Sequence, residues 1–188
     1  MKSFPDVDYP MSDLLRDTIS KLPNPLAAHP PGKLVIVTYL PKWNENPIRP
    51  SEGAIMSRLC KLSGVSWKHY LEATVRINLI MDTQDNETAQ ACKAAFLLTL
   101  QLSGRRAVLI GRKVAQAFGL TSELEPGDAV TICARTANEG ILDFSFEAVL
   151  FPSPYNTCGP LAQPQQREWF AHLFGLLINS TGIPQEKN

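Results

Sequence analysis

The chain lacks an excess of charge of either sign: 18 Lys and Arg balance 18 Asp and Glu among 188 residues. That excludes a protein that grips nucleic acid through bulk positive charge, so any affinity for a polyanion has to come from local patches. It also lacks a C-x-x-C pair. The four cysteines, Cys60, Cys92, Cys133 and Cys158, are scattered, which removes the usual spacing for zinc or an iron-sulfur cluster and leaves buried free thiols as the expectation. No apolar run approaches the roughly 20 residues that cross a bilayer, and no basic-then-apolar leader opens the sequence. Free thiols without a leader or a membrane span point to the reducing cytoplasm. There is no internal repeat, and the three histidines, His29, His69 and His172, read as surface or packing residues.

What is present suits one compact domain: 44% hydrophobic and 19% charged positions can bury a single core but not two ordinary ones. A monomer is expected. Residues 1–32 carry Pro5, Pro10, Pro23, Pro25, Pro30 and Pro31, which break helices and favour extended backbone. They read as an N-terminal arm with one amphipathic helix over 11–22, packed on a single domain of residues 33–188.

Residues 33–39, Lys-Leu-Val-Ile-Val-Thr-Tyr, form the apolar, β-branched run of a strand buried on both faces. A polar, proline-bearing loop follows over 41–53, then a helix over 54–62 whose inward positions are read as Ile55, Leu59 and Leu62. Further strands are expected at 73–81, 106–110, 129–134 and 143–150. Helices are expected at 87–102, from Gly111 to Phe118, and at 165–179, the last burying Trp169, Leu173, Leu176 and Leu177. Alternation of strand and helix implies a parallel sheet covered by helices. The fold class is α/β. Open parallel sheets bind ligands beyond the carboxyl ends of their strands, which makes the polar segments 40–53, 78–87 and 151–159 the candidate site.

Several of these segments resemble motifs of the uracil-DNA glycosylase superfamily, in the order that family has them. Thr38-Tyr39-Leu40-Pro41-Lys42-Trp43-Asn44-Glu45-Asn46 is similar to the G-E-A-P-G-x-N-E-D of its thermophilic bacterial branch, with proline, asparagine and glutamate in register. Ile48-Arg49-Pro50-Ser51-Glu52-Gly53-Ala54 resembles the following motif, with Ser51 where that branch has phenylalanine. Arg76-Ile77-Asn78 supplies the asparagine that ends the second strand, and Ala107–Ala115 resembles the apolar strand, glycine and helix that come next. Phe151-Pro152-Ser153-Pro154-Tyr155-Asn156 is nearest the H-P-S-P-R-N of the single-strand-selective branch that removes uracil and 5-hydroxymethyluracil.

The resemblance implies a three-layer α/β/α sandwich with a central mainly parallel four-stranded sheet, and a DNA glycosylase as its activity. Glu45, with Asn44 beside it, is then the expected catalytic residue, orienting a water and favouring positive charge on the sugar. Asn78 would read the pyrimidine edge through its amide, with Tyr39, Leu40, Ser51 and Phe151 around the base. Ser153, Pro154, Tyr155 and Asn156, together with Lys42, Arg49 and Arg112, would contact DNA. Arg58, Arg76, Arg105, Arg106 and Lys113 also fall near the expected rim by sequence. No lysine matches a Schiff-base position, which implies monofunctional chemistry. No metal and no cofactor are expected.

The departures shape the substrate expectation. Phe151 stands where the family's histidine steadies charge on the departing base, and a phenyl ring donates no hydrogen bond. Ser51 gives up a stacking ring and opens volume, while Leu40 fills part of that corner. These point to a modified pyrimidine, such as a hydroxymethylated or glucosylated cytosine of phage DNA, excised in anti-phage defence. Ordinary uracil excision and a DNA-binding, base-reading protein without catalysis stay open beside it.

Overall fold

The computed structural model describes residues 32–39, 53–80, 86–102, 104–121, 123–134, 144–153 and 160–182. In chain order they form β1 (Leu34–Thr38), α1 (Ala54–Leu62), α2 (Trp67–Ala73), β2 (Thr74–Asn78), α3 (Glu87–Gln101), β3 (Arg106–Ile110), α4 (Arg112–Ala117), β4 (Ala129–Ala134) and β5 (Phe144–Phe151). A short 3-10 turn at Pro160–Ala162 then leads into α5 (Pro164–Asn179). The expected N-terminal arm lies outside the described residues.

The strands make one sheet in the order β2-β1-β3-β5-β4. The β1–β2, β1–β3 and β3–β5 pairs are parallel, and β4 runs antiparallel to β5 along the edge. The four parallel strands correspond to the expected sheet, and β4 adds a fifth. A meander from β4 to β5 accounts for it, because consecutive antiparallel strands need no crossover helix.

Every residue of β1 is buried, since helices cover both faces. Val35 and Val37 point to one face and pack with Ala91, Ala95 and Leu98 of α3 and with Val114 and Ala117 of α4. Leu34 and Ile36 point to the other, with Met56 and Leu59 of α1, Tyr70 of α2 and Phe170, Phe174 and Ile178 of α5. Strand periodicity of two thus divides the apolar residues into two cores and three layers.

Three elements differ from the sequence reading. α2 falls where no helix was expected: Ser66 caps it, its hydroxyl accepting from the His69 N–H at 3.1 Å. In α1 Leu59 is buried as expected, with Met56 and Cys60 beside it, whereas Leu62 is exposed, and the Ile55 side chain lies outside those described. α5 is turned relative to expectation. Phe170, Ala171, Phe174, Gly175 and Ile178 face inward, while Trp169 is 53% and Leu176 56% exposed. Leu173 and Leu177 are only partly buried. Gly175 explains part of the choice: a Cβ there would stand 3.1 Å from the Ser63 carbonyl oxygen, so α5 meets the end of α1 at its glycine. The outward Trp169 lies across Gly127, where a Cβ would come within 2.6 Å of its ring.

Candidate functional site

The chain passes from β1 to β2 on one side and from β2 over to β3 on the other, so strand order reverses between β1 and β3. At such a reversal the connections leave in opposite directions and open a crevice at the carboxyl ends of the strands. Thr38, Tyr39, Asn78, Gly111 and the segment after β5 stand at those ends.

Asn78 is half-buried and ends β2 in register with Thr38 of β1. The Thr38 side chain is 1% exposed, and its hydroxyl donates to Asn78 Oδ1. The Ile77 carbonyl lies 3.3 Å from the same hydroxyl. The strands stay zipped past their ends: the Leu79 N–H donates to the Thr38 carbonyl at 2.9 Å and the Ile80 N–H to the Tyr39 carbonyl at 3.0 Å. The amide therefore rides on a fixed backbone, with one end held by a buried hydroxyl.

Tyr39, expected beside Asn78, faces the opposite side of the sheet. It follows Thr38 directly, so strand alternation sends its ring to the Val35 and Val37 core. There Lys113 Nζ sits 5.0 Å from the ring centroid. Burial raises the phenol's pKa, the charge of Glu87 adds to the rise, and a hydrogen bond with the Thr88 side chain opposes it.

Phe151, expected as a wall around the base, is 2% exposed. Its ring meets Phe170 edge to face at 5.1 Å and Phe174 at 5.8 Å. It is a core residue tying β5 to α5. An aromatic side chain at that position gains more from this apolar contact than from the strand-end rim.

Ser153 and Arg112 are brought together. Both line an open cleft of about 380 Å³ at the ends of β3 and β5, together with Gln116, Thr121 and Leu124. Gly111 makes this possible: its φ is +92°, which L side chains rarely adopt, and a Cβ there would stand 3.4 Å from the Ser153 Cβ. Its N–H donates to the Phe151 carbonyl at 2.9 Å, fastening the start of α4 to the end of β5.

The basic residues separate. Arg112 and Lys113 are exposed at the strand-end rim. Arg105 and Arg106 stand at the amino end of the parallel strands, where β3 begins, and Arg106 binds the Ser180 hydroxyl and carbonyl, both at 3.0 Å. Arg76 is occupied with Leu71, Thr74 and the Tyr70 ring. It braces α2 against β2. Sequence proximity to a motif misplaced all three, because neighbours in sequence can sit at opposite strand ends.

Leu40, Lys42, Asn44, Glu45, Arg49, Ser51, Pro154, Tyr155 and Asn156 lie outside the described residues. Among the thiols, Cys60 is buried as expected, whereas Cys92 is exposed and Cys133 intermediate. His69 is 2% exposed, and neither ring nitrogen has a hydrogen-bond partner among the described residues. No helix among the described residues is long and apolar enough to cross a membrane. The sequence reading passed over Thr38; its signal was a lone hydroxyl closing the apolar run Leu34-Val35-Ile36-Val37, beside the strand that ends in Asn78.

The chain matches no protein-family model, and no curated protein matches it.

Proposed function

We propose that this chain is a monofunctional DNA glycosylase that takes a modified pyrimidine out of the helix and hydrolyses its N-glycosidic bond. The observation that carries the reading is Asn78, an amide held at the carboxyl end of a strand next to the strand-order reversal. A base turned out of its stack has to be recognised by such fixed donors and acceptors on its edge. Asn78 reads the edge, Glu45 directs water to the sugar carbon, and Ser153 with Arg112 meets the backbone phosphates. The reading includes DNA as partner, a monomer, a cytoplasmic setting, and hydroxymethylated or glucosylated cytosine as target in defence against phage.

A second reading is favoured by one observation. Phe151 stands where the resembling family keeps a histidine, and its ring is committed to the core, so this position offers no donor to a departing base. A protein that binds and reads the base without cleaving it fits that loss.

One assay separates the readings. The protein is incubated with oligonucleotides carrying uracil, 5-hydroxymethyluracil, 5-hydroxymethylcytosine or its glucosylated form, then treated with alkali to break abasic sites. Strand breaks with a modified base that vanish in Glu45→Ala, while binding persists, support the glycosylase. Breaks with uracil alone make it an ordinary repair enzyme. Tight binding without breaks makes it a reader, and neither binding nor breaks refutes both readings.

A further inference from the structure

We infer that the cleft at the ends of β3 and β5 is a second nucleotide site, which holds the phosphate and base of a neighbour on the strand whose modified base Asn78 reads. The inference rests on the proposed function and adds a contact to it. At about 380 Å³ the cleft has the size of a site for one small ligand rather than for a run of nucleotides. Its lining is divided as a nucleotide is. Arg112 and Ser153 supply a guanidinium and a hydroxyl, the groups that meet a phosphate. Much of the rest is apolar: Ala115 and Leu120 at and beyond α4, Leu124 and Pro126 before β4, and Pro160 before α5. A base offers such a surface its flat faces and gains by leaving water.

One lining residue sets the direction. Glu125 lies two residues before Gly127, whose N–H donates to the Leu150 carbonyl at 2.7 Å. It therefore borders the cleft from the β4 side of β5, whereas Arg112 borders it from β3. A carboxylate repels a phosphate, so the phosphate belongs at Arg112 and the base extends toward Leu124 and Pro126. The distance suits one continuous strand. Asn78 ends β2, and the cleft opens two to three strands away in the order β2-β1-β3-β5-β4, roughly 10–14 Å at the usual strand spacing. Lys113 lies between, 5.0 Å from the Tyr39 ring centroid at the end of β1, and adds a cation along the path. At about 3.4 Å per stacked nucleotide the second site falls within about four nucleotides of the first.

The test removes one neighbouring base at a time. Single-stranded oligonucleotides carry 5-hydroxymethylcytosine or its glucosylated form at a fixed position, with one abasic residue walked along the four positions on either side. Binding is read by fluorescence anisotropy in Glu45→Ala, so that no bond is cut during the measurement. An abasic residue keeps the backbone charge and loses only the base. One position, on one side of the modified base, should therefore weaken binding at least about fivefold when made abasic, the low end of what seating a base contributes. Thr121→Trp and Gln116→Trp fill the cleft from exposed positions, and each should abolish that sensitivity; either decides the matter if the other does not fold. A bound strand with no sensitive position, or a sensitivity that survives in the filled clefts, overturns the second site and leaves the proposed function standing. Failure to bind either intact strand overturns the proposed function itself.

Discussion

A cysteine's chemistry follows its surroundings more closely than its count. Burial in the α1 face pushes the Cys60 thiol up from its ordinary 9.0 to about 12, while Cys92 stands exposed on α3. The thiolate is the attacking form, so iodoacetamide at pH 8 should modify Cys92 in the folded protein and reach Cys60 only after denaturation. Peptide mass spectrometry reads both; equal labelling of the two would show that α1 does not keep its inward face. Cys60 holds its proton more tightly folded than unfolded, so its contribution is intact below about pH 9. It is lost as pH climbs from there toward about 12. At the same scale, Gly111 shows why a sequence motif can be structural first. Its left-handed backbone lets Ser153 approach α4 whatever Ser153 goes on to bind.

For single elements, α5 is the sharpest test of the packing. Phe174 touches both Tyr70 and Phe151, so Phe174→Ala should lower stability by about 3–5 kcal/mol. Leu176→Ala, on the exposed side, should stay within about 0.5 kcal/mol. Urea denaturation of the two variants reads the difference, and the reverse order would restore the face expected from sequence. The strands were readable because β1 and β3 are unbroken apolar runs whose bounds burial alone dictates. The faces of α1 and α5 were not. α1 has a polar side at Ser57, Arg58 and Lys61, yet Leu62 at its end is left outside; α5 carries apolar residues nearly all round its second half, so what turns inward there is decided by contacts distant in sequence, such as Gly175 against Ser63. The site was legible to a similar depth: Asn78 falls at a strand end as expected, but strand alternation parts it from Tyr39, and the Phe151 ring joins the core. The burial of one residue depends on its partner elements, which no local pattern records.

Across the whole molecule, β1 and β3 are enclosed between neighbours on both edges and helices on both faces, whereas β2 and β4 are the sheet's edges. Amide exchange should follow that arrangement: the amides of Val35, Ile36, Val108 and Leu109 should exchange last, near the limit set by global unfolding, with those of β4 released earlier. Faster exchange in β3 than in β4 would contradict the strand order. The same arrangement has a consequence in time. The first strand waits for the last helix, because the Leu34 and Ile36 side of β1 is closed by Phe170, Phe174 and Ile178. At the pace of translation, the interval between making the two is on the order of ten seconds. Throughout it the Leu34 and Ile36 side of β1 lacks the part of its cover that α5 supplies.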